Sequence, residues 1–352
     1  MSKRVVVKIG SNVLTRTDGK TDVTRISSLV DQVVWMRRHG YQVILVSSGA
    51  VSCGRDEYHA DRKLDHVRQR QLFSAIGQVK LVGLYYDLFR EYGVTIGQVL
   101  TMKESFSTRV EYLTQRQCME VMLDNGVLPI VNENDTVSVT ELMFTDNDEL
   151  SGLVASMMGA DTLVILTNVD GIYDGKPSDP HARVIPMVDY DRDYTGKSDF
   201  GRGGMLTKTH IASKVAEEGI RVVIANGRTD DILIRLFEHP QDTVHTEFRP
   251  NPNPASTMKK WIAHSESFAK GVVRINAEAV KALTGDKAVS LLLVGVTAVE
   301  GDFDEGDIIN IQSPDGRTIA VGRSAYTACE ARVRMGMHDQ KPLVHYDYLY
   351  LE

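Results

Sequence analysis

Short apolar runs that alternate with helical stretches are the feature that most constrains the fold of this chain. Between the runs, apolar residues such as Ile26, Leu29 and Val30 recur at helical spacing. Strands that are apolar without alternation are covered on both faces of a sheet, and a strand–helix–strand order favours parallel pairing. The pattern therefore predicts an α/β/α sandwich with a mostly parallel sheet over residues 1–240. The runs lie at residues 5–9, 43–46, 94–100, 127–131, 162–166 and 221–225.

The pattern changes after residue 240. Pro250, Pro252 and Pro254 stand among polar residues in the segment 241–256. This segment is predicted to be a linker, because proline disfavours helices and lacks a donor for a strand ladder. Beyond it come strand-like runs punctuated by glycine, with one helix at residues 277–283. Residues 257–352 are therefore predicted to form a small β-rich domain, a partly closed barrel. Its predicted strands lie at residues 272–275, 290–299, 307–311, 318–322 and 344–351.

Composition excludes several classes of protein. The chain has 352 residues, 42% of them hydrophobic, and a net charge of -7, so neither disorder nor a general attraction to nucleic acid is expected. The region from residue 257 onward holds 11 lysines and arginines against 13 aspartates and glutamates, so RNA binding there is not expected. The three cysteines form no C-x-x-C motif, which argues against disulfides and thiolate zinc sites. Without a signal peptide or a long apolar span, we expect a cytoplasmic protein with no membrane contact.

Lys8 is the most unusual residue of the predicted sheet. It lies inside the first apolar run, between Val7 and Ile9, and Gly10 follows directly. An unpaired ammonium group is costly to bury, so the side chain needs a polar partner or an exit to solvent. One interpretation is an edge-strand lysine that reaches solvent. The other is a phosphate ligand beside a glycine turn, where backbone N–H groups also bind anionic oxygens.

Polar residues follow the other predicted strands at the edge of the sheet where parallel strands end. Ser48 follows the second run, just before a predicted helix start. Asn132 and Asp135 follow the fourth run, and the acid–amide cluster 146–149 comes soon after. Turn formation would explain each of these alone, because Asn and Asp favour turns. Together they predict a polar substrate site, in which carboxylates bind an ammonium group, orient lysines or bind Mg²⁺.

A glycine-rich segment later in the chain has the character of a phosphate site. Gly203 and Gly204 precede Met205 and the predicted helix that carries Lys208. A lysine in the first turns of a helix is disfavoured by the helix dipole, and a bound phosphate would supply a reason for it. The sequence has no Walker motif, dinucleotide fingerprint or H-E-x-x-H pair, so a P-loop, a Rossmann dinucleotide site and a zinc site are not expected.

In combination and in this order, these motifs resemble the amino acid kinase family. The segments that carry the resemblance are VVKIGS at 6–11, VSSGA at 46–50, IVNEND at 130–135, DNDELS at 146–151, LTNVDGIY at 166–173 and GGMLTK at 203–208. The third and fourth of these resemble the members that phosphorylate glutamate. The C-terminal region resembles the PUA domain that many of those members carry. The resemblance implies ATP-dependent phosphorylation of the side-chain carboxylate of L-glutamate to L-glutamyl 5-phosphate, the first step of proline biosynthesis.

The resemblance also implies roles for individual residues. Lys8 and Lys208 would contact the ATP phosphates and stabilise the transferred phosphoryl group, and Asp148 would orient the two lysines. ATP and Mg²⁺ would be required, with no metal site made of protein ligands alone. The substrate-binding residues would be Ser48, Asn132, Asp135 and Asn147. The nucleotide-binding residues would be Lys8, Gly10, Thr167, Asn168, Asp170, Gly203, Gly204, Met205 and Lys208.

This chemistry suits the residues. A side-chain carboxylate with a pKa of about 4.3 is already ionised at neutral pH, so the acceptor needs no general base. The difficulty is to bring two anions together, which cations and positioning achieve. Sister enzymes that phosphorylate N-acetylglutamate, aspartate or UMP are alternatives, as is a binding module built on the PUA-like region. The resemblance further implies a homo-oligomer, feedback inhibition by proline and a glutamyl phosphate reductase as a partner.

Overall fold

The computed structural model describes most of the chain as two compact units. One unit comprises Met1–Met102 with Thr114–Pro254, and the other comprises Lys103–Leu113 with Ala255–Glu352. Each has its own hydrophobic core. The described residues are 3–59, 64–106, 109–137, 147–175, 179, 181–189, 204–254, 269–285 and 289–351.

The first unit is built on one eight-stranded sheet with helices packed against it. Its strands are β1 Arg4–Ile9, β2 Gln42–Ser47, β3 Ile96–Thr101, β4 Leu128–Glu133, β5 Thr162–Thr167, β6 Met187–Val188, β7 Arg221–Asn226 and β8 Thr246–Phe248. Its α-helices are α1 Ser11–Leu14, α2 Val23–Arg38, α3 Ala50–Glu57, α4 His66–Arg90, α5 Arg109–Asp124 (which begins in the other unit), α6 Asn147–Met157, α7 Gly204–Glu217 and α8 Ile232–Glu238. A short 3-10 helix lies at Pro240–Asp242, and another, Lys103–Phe106, belongs to the other unit.

The strands run in the order β3-β4-β2-β1-β5-β7-β8-β6. The first six of these are mutually parallel, and β8 is antiparallel to β7. The prediction of an α/β fold with a mostly parallel sheet is therefore confirmed, and each of the six apolar runs forms a strand. Strands β6 and β8 were not predicted, because segments of two or three residues carry no usable periodicity. Strand β8 lies inside the segment 241–256, where the proline content predicts a linker.

Strand β1 lies in the interior of the sheet, between β2 and β5. Its residues Val5, Val6 and Val7 are at most 1% exposed, and Lys8 is 5% exposed. The interpretation of Lys8 as an edge-strand lysine that reaches solvent is therefore wrong. Its ammonium group must find its partners at the carboxyl end of the central strands.

Helices α3 and α4 cross in backbone contact, and two glycines allow it. A Cβ atom on Gly77 would lie 1.7 Å from the carbonyl oxygen of Ala50, and one on Gly54 would lie 1.9 Å from that of Phe73. Such distances leave no room for any side chain at either position. The crossing therefore fixes α4 against the start of α3, beside the carboxyl end of β2.

The second unit contains a five-stranded sheet of mixed direction in the order β10-β9-β11-β12-β13. The helix predicted at 277–283 is present, and a second helix was missed, although its capping box of Thr327 and Glu330 is a sequence signal for a helix start. Of the helices in the described ranges, none combines the length and apolar character that a membrane crossing requires. The strands are β9 Gly271–Ile275, β10 Val296–Gly301, β11 Ile308–Gln312, β12 Thr318–Arg323 and β13 Leu349–Leu351, the α-helices are α9 Ala277–Leu283 and α10 Ala328–Arg334, and 3-10 helices lie at Leu293–Gly295 and Tyr346–Tyr348.

Candidate active site

Two lysines from distant parts of the chain converge on one buried carboxylate. Lys8 comes from the end of β1, Asp148 from the first turn of α6, and Lys208 is the fifth residue of α7. The Nζ atom of Lys8 contacts Oδ1 of Asp148, and Nζ of Lys208 lies 2.6 Å from Oδ2. The three residues predicted to be catalytic therefore lie together, and Asp148 binds each lysine through a different oxygen.

The electrostatics of this cluster keep Asp148 ionised. Its side chain is fully buried, and burial alone would raise its pKa. The ammonium groups of Lys8 and Lys208 outweigh that effect and hold the pKa of Asp148 below its ordinary value. A carboxylate in the first turn of a helix is also favoured by the helix dipole. One carboxylate between two ammonium groups leaves a net positive charge, which suits an anionic ligand.

The cluster lies at the topological switch point of the sheet. From β1 the chain continues to β2 on one side, and from β5 it continues to β6 and β7 on the other, so the crevice between β1 and β5 is the expected ligand site. The backbone N–H of Gly10 donates to the carbonyl oxygen of Leu166 across this crevice, at 3.0 Å. A Cβ atom on Gly10 would lie 3.2 Å from that oxygen and 3.7 Å from Nζ of Lys8. Glycine therefore keeps the backbone beside Lys8 uncovered.

A cavity of about 320 Å³ lies at the same edge of the sheet. The four residues predicted to bind substrate, Ser48, Asn132, Asp135 and Asn147, all line it. A side-chain amide connects three of them, because Nδ2 of Asn147 donates to Oγ of Ser48 at 2.9 Å and to Oδ1 of Asn132 at 3.1 Å. The remaining lining residues are Ser11, Gly49, Ala50, Val51, Ser52, Arg55, His66, Arg70 and Glu133. We call this space the acceptor cavity.

The N-terminus of α3 opens on the acceptor cavity. Gly49 precedes the helix with φ +109, a conformation that favours glycine, and no side chain caps the helix start. The first N–H groups of a helix have no intrahelical acceptor and lie at the positive end of the helix dipole. This end of the cavity therefore suits a carboxylate.

Sequence reasoning missed three residues of α4 that contact the predicted substrate residues, and of these Arg70 also lines the cavity. Arg70 donates through Nε to Oδ1 of Asp135 at 2.7 Å and through Nη2 to Oε2 of Glu133 at 2.9 Å. Ser74 donates to Oδ2 of Asp135 at 3.2 Å, and Gln78 accepts from Nδ2 of Asn132 at 2.9 Å. We call Arg70, Ser74 and Gln78 the acceptor stripe. Their regular spacing of four residues places them on one face of α4, but that spacing alone does not indicate a role in the site.

Three of the predicted nucleotide residues, Thr167, Asn168 and Asp170, lie at the end of β5 or just after it, and β5 pairs with β7. Thr167 ends β5, and its carbonyl oxygen accepts from the N–H of Gly227 at 2.8 Å. Thr167 Oγ1 lies 3.4 Å from Oδ1 of Asn168. Asp170 accepts from Nδ2 of Asn226 at 2.9 Å and from the hydroxyl of Tyr173 at 3.1 Å.

The glycine-rich segment is described only in part. Gly204 begins α7 and Met205 lies in its first turn, whereas Gly203 lies outside the described residues. Asp146, in the predicted acid–amide cluster, also lies outside them. A further contact was not predicted: Nη2 of Arg228, which follows β7, donates to the carbonyl oxygens of Asn12 and Thr15 at 2.8 Å. This contact ties the segment after β1 to the end of β7.

The donor set does not form a cage for a metal ion. The described part of the chain contains no group of three or more His, Cys, Asp or Glu side chains that could hold one. Asp148, which lies at the centre of the site, uses both oxygens to bind lysines. Mg²⁺ is commonly held by one or two carboxylates or by substrate phosphates and keeps several waters. The residues therefore fit a Mg²⁺ ion that arrives bound to a polyphosphate.

Comparison with known sequences shows that two segments of the chain match known families. Residues 3–226 match the amino acid kinase family and residues 271–345 match the PUA domain. The chain is 58% identical over 354 residues to glutamate 5-kinase of Bacteroides thetaiotaomicron, covering 99% of this chain and 98% of that relative. It is 47% identical over 358 residues to glutamate 5-kinase of Chlorobaculum tepidum, covering 99% of this chain and 97% of that relative.

Comparison with solved structures supports the fold. Carbamate kinase from Giardia lamblia bound to AMP-PNP is 16% identical and superposes with a TM-score of 0.51, covering 71% of this chain and 99% of that one. At this identity the likeness concerns the fold alone. It agrees with the α/β sheet that carries the two lysines and the acceptor cavity.

Proposed function

The chain belongs to the amino acid kinase family and, within it, to the glutamate 5-kinases, and we propose how its residues perform that reaction. The reaction transfers the γ-phosphoryl group of ATP to the side-chain carboxylate of L-glutamate and gives L-glutamyl 5-phosphate, the first step of proline biosynthesis. The observation that carries the proposal is the pair of lysines on the buried Asp148, next to a cavity lined by amides and carboxylates.

Lys8 and Lys208 act on the phosphates. A carboxylate oxygen of glutamate attacks the γ-phosphorus, and the bond from that phosphorus to the bridging oxygen of ADP breaks. The acceptor is ionised at neutral pH, so no proton has to be removed and no general base is needed. Negative charge accumulates between donor and acceptor, where the two ammonium groups stabilise it. Asp148 keeps the ammonium groups in place without occupying the path of the phosphoryl group.

The acceptor cavity binds L-glutamate. Its residues Ser48, Asn132 and Asn147 offer hydroxyl and amide groups to the substrate, and the carboxylate of Asp135 pairs with the α-ammonium group. The positive end of α3 suits one of the two substrate carboxylates. Different parts of the cavity therefore suit the ammonium group and one carboxylate group of the amino acid.

The nucleotide occupies the crevice at the ends of β5 and β7. Thr167, Asn168 and Asp170 contact it there, and Gly10, Gly203, Gly204 and Met205 offer backbone groups to the phosphates. Mg²⁺ accompanies ATP, held by phosphate oxygens, and supplies additional positive charge to the phosphate chain when bound. The hydrogen bonds that Asp170 accepts from Asn226 and Tyr173 keep its carboxylate at the end of β5.

Four further points rest on the sequence and on the family rather than on the geometry of the site. We propose that the enzyme works in the cytoplasm as a homo-oligomer, that proline inhibits it, and that a glutamyl phosphate reductase consumes its product. An acyl phosphate is labile, which favours rapid use by a partner. Activity that is indifferent to millimolar proline would refute the inhibition by proline. The PUA domain is proposed to be structural or regulatory, and its balance of charges argues against RNA as its ligand.

The decisive experiment traps the acyl phosphate as a hydroxamate. Mg-ATP is supplied with L-glutamate, N-acetylglutamate or L-aspartate in parallel, together with hydroxylamine. We expect product with L-glutamate alone. Product with another acceptor would preserve the two lysines but reassign Asn132, Asp135 and Asn147. Product with none of them, followed by turnover of UMP, would replace the proposed acceptor altogether.

A further inference from the structure

We propose that Arg70 is a positioning residue for the acceptor, and that it makes the cavity selective for an amino acid with a free α-ammonium group. This inference rests on the proposed function and names a determinant of its specificity. Ser74 and Gln78, the other members of the acceptor stripe, assist Arg70 in the same role.

The carboxylates of Glu133 and Asp135 lie close enough for the guanidinium of Arg70 to contact both. Glu133 is the last residue of β4, and Asp135 follows two positions later, in the turn after the strand. Their side chains are 3% and 8% exposed. Arg70 stands one turn into α4, where its Nε contacts Asp135 and its Nη2 contacts both carboxylates. The planar guanidinium suits this because its donors point in fixed directions.

The charges in the cavity explain why this contact matters for the acceptor. Two nearly buried carboxylates without a cation would repel a substrate that carries two carboxylates itself, and burying them would be costly. Arg70 compensates one negative charge and leaves one for the substrate ammonium. Arg55 and His66 also line the cavity, but they are exposed, so solvent screens their charge.

Orientation is the second contribution of the stripe. Arg70 binds Oδ1 of Asp135 and Ser74 binds Oδ2, so the plane of this carboxylate is fixed while each oxygen retains a lone pair for a ligand. Gln78 accepts from Nδ2 of Asn132 and thereby directs Oδ1 of Asn132 towards Asn147. The whole acceptor side is therefore oriented from one face of α4.

Selectivity follows from this arrangement. An N-acylated glutamate carries no ammonium group, so its binding would leave the negative charge of Asp135 without a partner inside the cavity. Sites built for a specific polar partner strongly reject analogues that lack it. Without Arg70 the orientation of Asp135 is lost, and with it the difference between the free and the acylated amino acid.

The test compares acceptor kinetics of the full-length enzyme in the hydroxamate assay. Arg70→Gln is expected to raise KM for L-glutamate by about tenfold, with less than about a threefold change in kcat, and to reduce the preference for L-glutamate over N-acetylglutamate by about tenfold. Arg70→Lys keeps the positive charge but lacks the planar guanidinium, and we expect its KM and its acceptor preference to lie between those of the wild type and Arg70→Gln. The double variant R70Q/E133Q is expected to regain most of the lost affinity, because it removes the uncompensated carboxylate. The change in preference between L-glutamate and N-acetylglutamate is the readout that a merely structural role would not produce.

Controls separate this inference from the function on which it rests. Arg68→Gln changes an exposed arginine of the same helix that pairs with Asp65, and it should leave all constants unchanged. Ser74→Ala removes one hydrogen bond and is expected to raise KM about threefold, which keeps the inference testable if Arg70→Gln fails to fold. Unchanged KM and selectivity in Arg70→Gln, or loss of kcat alone, would overturn the role of Arg70. A wild-type enzyme that fails to phosphorylate glutamate would instead refute the proposed function.

Discussion

The donor side and the acceptor side of the site are built on different principles. The donor side consists of three charged groups, Lys8, Asp148 and Lys208, in direct contact and nearly out of solvent. The acceptor side is a cavity whose amide, hydroxyl, carboxylate and guanidinium groups are connected by hydrogen bonds of about 3 Å. The donor side can stabilise spread charge on any phosphoryl group, whereas the acceptor side can distinguish one amino acid from another. This difference predicts that changes on the donor side reduce kcat and changes on the acceptor side raise KM.

Removal of a donor-side ammonium group should have the largest effect. Lys208→Ala is expected to lower kcat about 10²–10³-fold, because one cation that faces the transferred phosphoryl group is lost, while KM for glutamate changes little. Steady-state kinetics with varied glutamate at saturating Mg-ATP measures this split. Lys214→Ala, six residues further along α7 and on another face of the helix, is the matched control. An unchanged kcat in Lys208→Ala would remove the basis for assigning the donor side.

Neutralisation of the shared carboxylate should have the next largest effect. Asp148→Asn keeps the shape but leaves two ammonium groups facing each other, so we expect kcat to fall about 10²-fold through loss of positioning. The same change breaks a buried ion pair and should lower the free energy of unfolding by about 3 kcal/mol. Chemical denaturation and kinetics on one preparation would measure the two effects together. Loss of stability with normal kcat would make Asp148 a structural residue only.

The contrast between the two sides also determines what the sequence can reveal. Lys8 is conspicuous because a lysine interrupts a buried strand, and Lys208 because it opposes the dipole of its helix. Each anomaly is visible in its own segment, and the structure explains both through Asp148. The central sheet is predictable for the same reason, since its apolar runs are local signals.

The acceptor stripe could not be recognised in the same way. Arg70 and Ser74 are ordinary residues in their own segment, and their partner Asp135 is more than sixty positions away. Their contact with Asp135 depends on the position of α4 in the unit. Gly54 and Gly77 determine that position because they allow the backbones of α3 and α4 to touch. Short strands such as β8 were missed because their formation depends on the neighbouring strand rather than on their own pattern.

Loss of an acceptor-side amide should have a moderate effect confined to binding. Asn147→Ala removes the donor that connects Ser48 and Asn132, and two hydrogen bonds of ordinary strength correspond to a rise in KM for glutamate of about tenfold. We expect kcat to stay within about threefold of the wild-type value, because the lysines and Asp148 are unchanged. Titration of L-glutamate at saturating Mg-ATP would measure this. A fall in kcat as large as that of Asp148→Asn would mean that the two sides are not separable.

The smallest catalytic effect is expected at Glu247, a second carboxylate with basic partners in the same sheet. His245, whose Nε2 lies 3.9 Å from Oε2 of Glu247, and Arg221, 2.5 Å away, lower the pKa of Glu247 to about 2 against the opposing effect of burial. A lowered pKa stabilises the fold above the ordinary value of 4.5, and this contribution is lost as the pH falls from there towards 2. Arg221 begins β7, at the opposite edge of the sheet from the lysines.

Glu247→Gln should therefore lower the free energy of unfolding by about 1–2 kcal/mol near neutral pH, after screening by solvent. It should also flatten the acid limb of the profile of stability against pH and leave kcat and KM unchanged. If Glu247→Gln instead lowered kcat as much as Asp148→Asn does, loss of stability alone would account for both effects. A fall in kcat would then no longer distinguish the donor side from the rest of the unit.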